Sequence, residues 1–314
     1  MAATTVQFRR PRLLPRIDLG LDRPSRQGWF AYLLLLPAAL LIVAFIVYPL
    51  FVSFDLSFQS VNMARIGDPR RPFTVANYAR LFASDEFWGS VWVTFELIAV
   101  VTVSCFGIGI GTALLLNNRF RGRRIARLLV ALPWAVPEVV AVVIFAWLFD
   151  SSVGLVSWLL VKIGLTTEMM AWFSDPSAAF IAVSVTMIWK AYPFVSTMAL
   201  AGLQSIPDDL YGAARVDGAT PWQQFLHVTL PSLMPVIAIT AVLLVLWLFR
   251  DFSIVYVMTQ GGPVRATQTL SIMTYQQAFS FFRMGYASAV GVVTLILCLL
   301  AGLLLVGRRT DAIY

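Results

Sequence analysis

Charged side chains inside long apolar runs are the residues of this chain most able to do chemistry. Glu96, Glu138, Lys190 and the adjacent Arg250 and Asp251 each interrupt such a run. An ionisable group at the centre of a membrane helix costs about 2.5–3.5 kcal/mol on insertion scales, so each needs a partner, a polar cavity or an interface. Glu138 and Lys190 fit either the wall of a polar translocation path or a buried pair that orients helices. Arg250 and Asp251 lie about nineteen residues beyond Pro231, near the far end of their run, where they either snorkel to the interface or stand at a cavity mouth. Sugars offer hydroxyl edges and apolar ring faces, and a carbohydrate path therefore wants aromatic rings beside amides and charges. Trp189-Lys190-Ala191-Tyr192-Pro193 and the stretch from Arg250 and Asp251 to Tyr256 supply that mixture. The candidate lining set is thus Glu138, Trp189, Lys190, Tyr192, Arg250, Asp251 and Tyr256, while Phe145, Trp147 and Trp158 read as packing or interfacial rings. Bond-breaking machinery is absent from the pattern: there is no G-x-x-x-x-G-K-[ST] phosphate loop and no spaced His/Cys/Asp metal set. The single histidine, His227, reads as structural, so no catalytic residue, metal site or cofactor is expected in this chain.

The elements that must position these charges are membrane helices. Hydrophobic residues make up 59% of the chain and charged ones 12%, against about half and about a quarter in soluble domains, which requires an integral membrane protein. Cys105 and Cys298 both fall in apolar runs, and neither a disulfide framework nor a metal site is indicated. Residues 1–28 form a basic tail with Arg9, Arg10, Arg12, Arg16, Arg23 and Arg26, followed by an apolar run too long for a signal-peptide core and read as an uncleaved anchor. Runs at about 29–51, 88–116, 125–149, 177–203, 232–258 and 284–306 are long enough to cross roughly 30 Å of hydrocarbon as helices. The expected fold is all-α, a polytopic bundle of six spans over 29–306 with a C-terminal tail at 307–314. Two prolines, Pro133 and Pro137, should break the third span near its start.

Arginine sets the orientation. The N-terminal tail, Arg119, Arg121, Arg123, Arg124 and Arg127, and Arg308 and Arg309 all fall on one side of a six-span topology, which marks it as cytoplasmic and places both termini inside. On the other side Arg65, Arg70, Arg71 and Arg80 are balanced by Asp55, Asp68, Asp85 and Glu86. Tyr78, Phe82, Phe87 and Trp88 read individually as an interfacial aromatic belt.

The polar stretch from Gln204 to Pro235 interrupts the apolar pattern between spans four and five. Ser205, Pro207 and Asp208 give a helix start, and Gly218 a stop. Thr220, Pro221 and Gln223 then match a capping box, so two short helices joined by a glycine bend are expected, the second carrying Trp222, Phe225 and Leu226.

That stretch resembles the cytoplasmic loop of binding-protein-dependent ABC importer permeases, written roughly E-A-A-x-x-x-G with a later aliphatic-x-L-P. Here it reads Gly212-Ala213-Ala214-Arg215-Val216-Asp217-Gly218-Ala219, then Val228, Leu230 and Pro231, with Gly212 in place of the motif's acid. Phe73-Thr74-Val75-Ala76-Asn77-Tyr78, Leu132-Pro133 to Pro137, and Thr259-Gln260-Gly261-Gly262-Pro263 are similar to phrases of the sugar-importing members. Gly154-Leu155 resembles their reentrant-looking connector. The resemblance implies a type I importer permease of the maltose, glycerol-phosphate and trehalose group. It implies a coupling loop at 204–231, with Asp208, Leu210, Tyr211, Gly212, Ala213, Ala214, Arg215, Asp217, Gly218 and Ala219 facing an ATPase. The implied partners are a sister permease, two ATP-binding cassette subunits that hold ATP and Mg, an extracytoplasmic substrate-binding lipoprotein and the lipid bilayer, with no nucleic acid. The expected function is ATP-driven import of a disaccharide such as trehalose or maltose through the cytoplasmic membrane. The alternatives are a secondary carrier, which would need no glycine-bent loop, and a membrane enzyme acting on lipid-linked sugars, which would want acids or histidines clustered at one interface.

Overall fold

A computed structural model of the chain describes residues 26–62 and 73–307. Most of the basic tail, Arg65, Asp68, Arg70 and Arg71, and the C-terminal Arg308 and Arg309 lie outside the described residues. Among the described residues all regular structure is helical. Residues up to Phe51 form one compact unit and those from Val52 onward a second. The first unit is helical from Arg26, with α1 (Arg26–Ile42) passing through a π turn at Val43–Val47 into α2 (Tyr48–Ser57).

The second unit is a helical bundle. After α3 (Ala76–Phe82), Ser84 caps α4 (Asp85–Asn117) by accepting from the Phe87 amide, and Asp85 and Glu86 sit in the positive first turn. The next helix is broken as its prolines require. α5 (Arg123–Ala135) ends and α6 (Glu138–Leu148) starts at a bend of 94°. A short α7 (Leu155–Lys162) begins at Gly154, where an added Cβ would stand 2.2 Å from the Asp150 carbonyl oxygen. Asp175 then caps α8 (Pro176–Gln204), accepting from the Ala178 amide at 2.8 Å with proline at the first helical position. With the bent pair counted as one span, the described residues contain up to six candidate membrane crossings.

Two differences from the expected spans have local causes. The fifth span runs from Pro221 to Arg250, not 232–258: α10 (Pro221–Gln224) continues through a π turn at Phe225–Thr229 into α11 (Leu230–Arg250). The second short helix is therefore the foot of a span. At the far end Asp251 is extended (φ −62°, ψ 123°), and α12 (Ser253–Thr259) follows as a separate helix. Apolar residues continue past that break, which is why hydropathy runs through it. A last pair, α13 (Leu270–Tyr275) and α14 (Met284–Gly307), completes the bundle.

α4 and α8 run parallel in close contact. Cys105 Sγ lies 3.8 Å from the Ile188 carbonyl oxygen, the Thr112 and Ser196 hydroxyls are 2.8 Å apart, and a Cβ on Gly109 would meet Val195 at 2.7 Å. Val101, Val142, Val183, Leu244 and Ile254 form the middle of the core. At one end Leu81, Phe87, Met273 and Val290 close it, and at the other Ala113, Ala199, Leu203, Ile206 and Leu233.

The 73–78 phrase is a clasp. Buried Asn77 donates from Nδ2 to the Ser57 and Gln59 carbonyls at 2.9 and 3.0 Å, and Tyr78 shares a 2.7 Å hydrogen bond with the Ser57 hydroxyl. The Gly285 amide donates to the Val61 carbonyl at 3.2 Å, and a Cβ there would sit 1.9 Å from the Gln59 oxygen. Phe87 is 1% exposed, a core ring and not a belt residue, because its helix turns it toward Leu81 and Val290, whereas Phe82 and Trp88 are half exposed.

Candidate functional site

Four of the charges singled out in the sequence line one cavity. It has a volume of about 520 Å³, and Glu138, Lys190, Arg250 and Asp251 share it with Trp134, Trp247, Phe252 and Ser253. The helix breaks create it. Pro133 and Pro137 end α5 before α6 starts, leaving carbonyls without helical donors. Lys190, reaching from α8, donates Nζ to the carbonyls of Pro133 at 3.1 Å, Trp134 at 3.3 Å and, more closely, Val136. The lysine is thus both a cavity wall and the cap of a broken helix. Asp251 stands at the second break, past the end of α11. Its backbone carbonyl accepts from Ser271 at 2.7 Å, and its Oδ1 is buried without a hydrogen-bond partner.

Trp189, Tyr192 and Tyr256 do not line this cavity. Trp189 turns the other way and packs its ring 5.0 Å from Phe145. Tyr192 packs against the central core. Tyr256 stacks on Phe252 at 4.8 Å and lies 4.9 Å from Tyr275, in an aromatic cluster beside the cavity. Among the aromatic lining residues, Trp134 and Trp247 were outside the candidate lining set, and Phe252 fell within the marked stretch from Arg250 to Tyr256 without being singled out. Trp134 sits between the two prolines and Phe252 beside Asp251, so closeness to a helix break was the available signal; Trp247 carried none. Glu96 is exposed on the outer side of α4, with Trp92 71% exposed one turn away.

The second feature lies at the other end of the bundle. α9 (Asp208–Val216) has no buried residue, and its start has no side-chain cap: Pro207 occupies the cap position and Ser205 instead donates to the Gly202 carbonyl, within the end of α8. The stop is as expected. Gly218 adopts φ +76°, its amide donates to the Arg215 carbonyl at 3.1 Å and the Ala219 amide to that of Ala214 at 2.9 Å, a Schellman closure. Thr220 and Gln223 then form the reciprocal capping box, with Thr220 N donating to Gln223 Oε1 at 2.8 Å and Gln223 N to Thr220 Oγ1 at 3.3 Å. Between these turns opens a cleft of about 500 Å³ lined by Leu210, Ala213, Ala214, Asp217, Gly218, Ala219, Gln223 and His227 among others. His227 spends Nδ1 on the Gln223 carbonyl at 3.0 Å. Arg215 donates to the Tyr211 carbonyl at 3.1 Å. Asp208 is exposed in the first turn, and at Gly212 nothing lies within 4 Å of an added Cβ. From below, the Tyr211 hydroxyl meets Thr229 Oγ1 at 3.0 Å, and Tyr211 packs on the core of Ile206, Leu203 and Leu233. α9 is therefore tied to α8 and to the foot of the fifth span.

A helical membrane bundle with a polar cavity at its helix breaks and an exposed, tethered helix at one end is, in class, a transport permease. Residues 105–307 match the binding-protein-dependent transport system inner membrane component, and the chain belongs to that family. Over 300 residues it is 38% identical to the sulfoquinovosyl glycerol transport system permease protein SmoG of Agrobacterium fabrum, covering 95% of this chain and 96% of that one. It is 36% identical to the trehalose/maltose transport system permease protein MalF of Thermococcus litoralis (87% and 91% covered), and 35% identical to the diacetylchitobiose uptake system permease protein DasB of Streptomyces coelicolor (88% and 85%). In fold it matches a chain of a bacterial ABC transporter involved in import of the acidic polysaccharide alginate, with TM-score 0.79 at 24% identity over 92% of this chain and 97% of that one. The chain is the permease subunit of a binding-protein-dependent ABC sugar importer, a multi-pass inner-membrane protein and not an enzyme.

Proposed function

We propose that this chain forms half of the path of a sugar importer and carries an uncharged disaccharide of the trehalose or maltose kind past Glu138, Lys190, Arg250 and Asp251. The observation that carries this reading is the cavity that gathers those residues. Its two acids and two bases offer hydrogen-bonding groups of both signs to sugar hydroxyls, and Trp134, Trp247 and Phe252 add ring faces for a sugar to stack on. Among relatives, the MalF protein is named for trehalose and maltose, which fits this class. Tyr256, Trp189 and Tyr192 support the wall from behind.

α9 and the cleft beside it are the docking face for one of two ATP-binding cassette subunits, which bind ATP and Mg. That end is cytoplasmic, because Arg119, Arg121, Arg123 and Arg124 lie at the same end as α9, and the arginine count of a six-span topology supports placing both termini on that side. The division is a tail at 1–28, the permease domain at 29–306 with its coupling loop at 204–231, and a tail at 307–314. An extracytoplasmic binding protein delivers substrate at the opposite end, and a sister permease supplies the other half. Glu96 supports that partner, since a carboxylate on the outer face of a membrane helix is favourable only against protein or a water-filled path. ATPase closure moves α9 as a rigid lever. Tyr211 and Thr229 pass the motion to the helix from Pro221 to Arg250, 30 residues and so about 45 Å of rise. Arg250 at its far end opens or closes the cavity by alternating access.

The test is uptake of labelled trehalose and maltose by the whole importer, with sulfoquinovosyl glycerol as competitor, in the native form and in Asp251→Asn. Trehalose or maltose uptake reduced about tenfold in the variant, equivalent to about 1.4 kcal/mol at the transition state, with the ATPase still co-purifying, is the expected result. Unchanged uptake removes the cavity from the path, and transport of sulfoquinovosyl glycerol alone overturns the neutral disaccharide.

A further inference from the structure

From the end of α4 into the first turns of α5 the chain carries Arg119, Arg121, Arg123, Arg124 and Arg127, and no acidic residue occurs between Glu96 and Glu138. α5 has two unlike outward sides. Pro133 is buried and Ala126 and Val130 are half-buried toward the bundle, while Ile125, Leu128, Leu129 and Leu132 are 64%, 72%, 62% and 50% exposed. In a broken membrane span such side chains meet hydrocarbon. The arginines flank this face at its start. Arg123 donates Nε to the Leu116 carbonyl at 2.6 Å, which fixes the turn against α4; Arg127 Nε is buried without a hydrogen-bond partner, and Arg119, Arg121 and Arg124 are exposed. Guanidinium groups are suited to bidentate phosphate binding, and clustered beside an apolar helix face they complement a headgroup whose acyl chains run along Leu128 and Leu132.

We propose that this junction binds an anionic phospholipid of the leaflet on the coupling-helix side, and that occupancy holds α5 in place for transport. The link to transport is the other end of the same helix, where the carbonyls of Pro133, Trp134 and Val136 receive Lys190. The lipid site is continuous with the bilayer-facing surface of the span. It rests on the permease reading only for the second of two readouts, so the two can fail separately.

The experiment uses the complete importer, purified and placed in nanodiscs of phosphatidylcholine alone or an equal mixture with phosphatidylglycerol. Retained lipid is counted by native mass spectrometry and stimulated ATPase is measured in parallel, for the native chain and for a variant carrying Arg121→Gln and Arg124→Gln. Phosphatidylglycerol should be retained over phosphatidylcholine and should raise ATPase, and the variant should lose about fivefold enrichment per arginine. Equal retention of both lipids, or a variant that retains phosphatidylglycerol like the native chain, overturns the site. Inorganic phosphate that replaces the lipid in raising ATPase would assign a soluble-anion site instead. Loss of the ATPase subunit from the purified variant would assign the arginines to a protein contact, and the lipid reading falls. Selective retention without any effect on ATPase keeps the site and overturns its role in transport.

Discussion

From Asp208 to Val228 the proposed coupling element is made by residues that are neighbours in the chain: Gly218 turns it, Thr220 and Gln223 restart it, and Tyr211 pins it to Thr229. The cavity takes Glu138 from α6, Lys190 from α8, and Arg250 and Asp251 from the end of α11. One is written in local backbone chemistry, and each turn can be checked from a few side chains. The other exists because two helices stop where hydropathy alone would carry them on. On the roles proposed above, this permease specifies its contact with a soluble partner residue by residue, while its path is specified by where helices fail and by which distant group satisfies the freed backbone.

The largest effect is expected where that distant group is removed. Lys190→Met leaves the carbonyls of Pro133, Trp134 and Val136 without their donor, and losing charge-assisted hydrogen bonds to the two half-buried ones, at Pro133 and Val136, costs about 1.5–3 kcal/mol each. Uptake should be abolished and the melting temperature of the purified complex should fall, whereas Lys190→Arg should restore part of both. A Lys190→Met complex that melts like the native one would mean that the break at α5 and α6 is held by its own prolines, and the contrast between the two regions would lose its main support.

The coupling element comes next. Gly218 at φ +76° has open space around it, so only backbone strain opposes a side chain there. Gly218→Val should cost about 1–2 kcal/mol in that conformation, enough to lower the ratio of substrate moved to ATP hydrolysed about tenfold while insertion in the membrane stays normal. Uptake and stimulated ATPase at native levels would show that the bend tolerates other geometries and that the lever does not depend on it.

How much of this was legible follows the same division. The capping box at Thr220, the glycine stop and the break at Pro133 and Pro137 follow from short-range rules and appear within a residue or two of their expected positions, and the spans exist as expected although the fifth is shifted to Pro221–Arg250. The first cap fails instructively: the Gly202 carbonyl, which the Ser205 amide meets at 3.2 Å, is closer at hand, so the Ser205 hydroxyl also closes α8 and does not open α9. The 73–78 phrase was visible as a pattern but not as a clasp, because its partners Ser57, Gln59 and Gly285 are far apart in the chain. The charges of the cavity stood out by their insertion cost, yet the same argument could not tell Lys190, which faces the break, from Trp189 beside it, which faces Phe145. Which side of a helix looks into a cavity depends on crossing geometry, and that is absent from a single strand of text.

The smallest effect separates shape from charge at the docking face. Gly212 stands where the resembled motif implies an acid, and among the described residues nothing lies within 4 Å of a side chain added at that point. Glycine in a helix is less favourable than glutamate by roughly 0.5–1 kcal/mol, so Gly212→Glu should firm α9 slightly and leave uptake near its native level. If the native contact with the ATPase rests on fit against Leu210, Ala213 and Ala214 and not on charge, adding the acid should make assembly more sensitive to salt than it is in the native complex. Co-purification of the ATPase across a salt series measures this. A variant whose assembly follows the native salt curve would mean that position 212 faces no cation on the partner, and the local legibility of the coupling element would then stop at its backbone and not extend to the surface it presents.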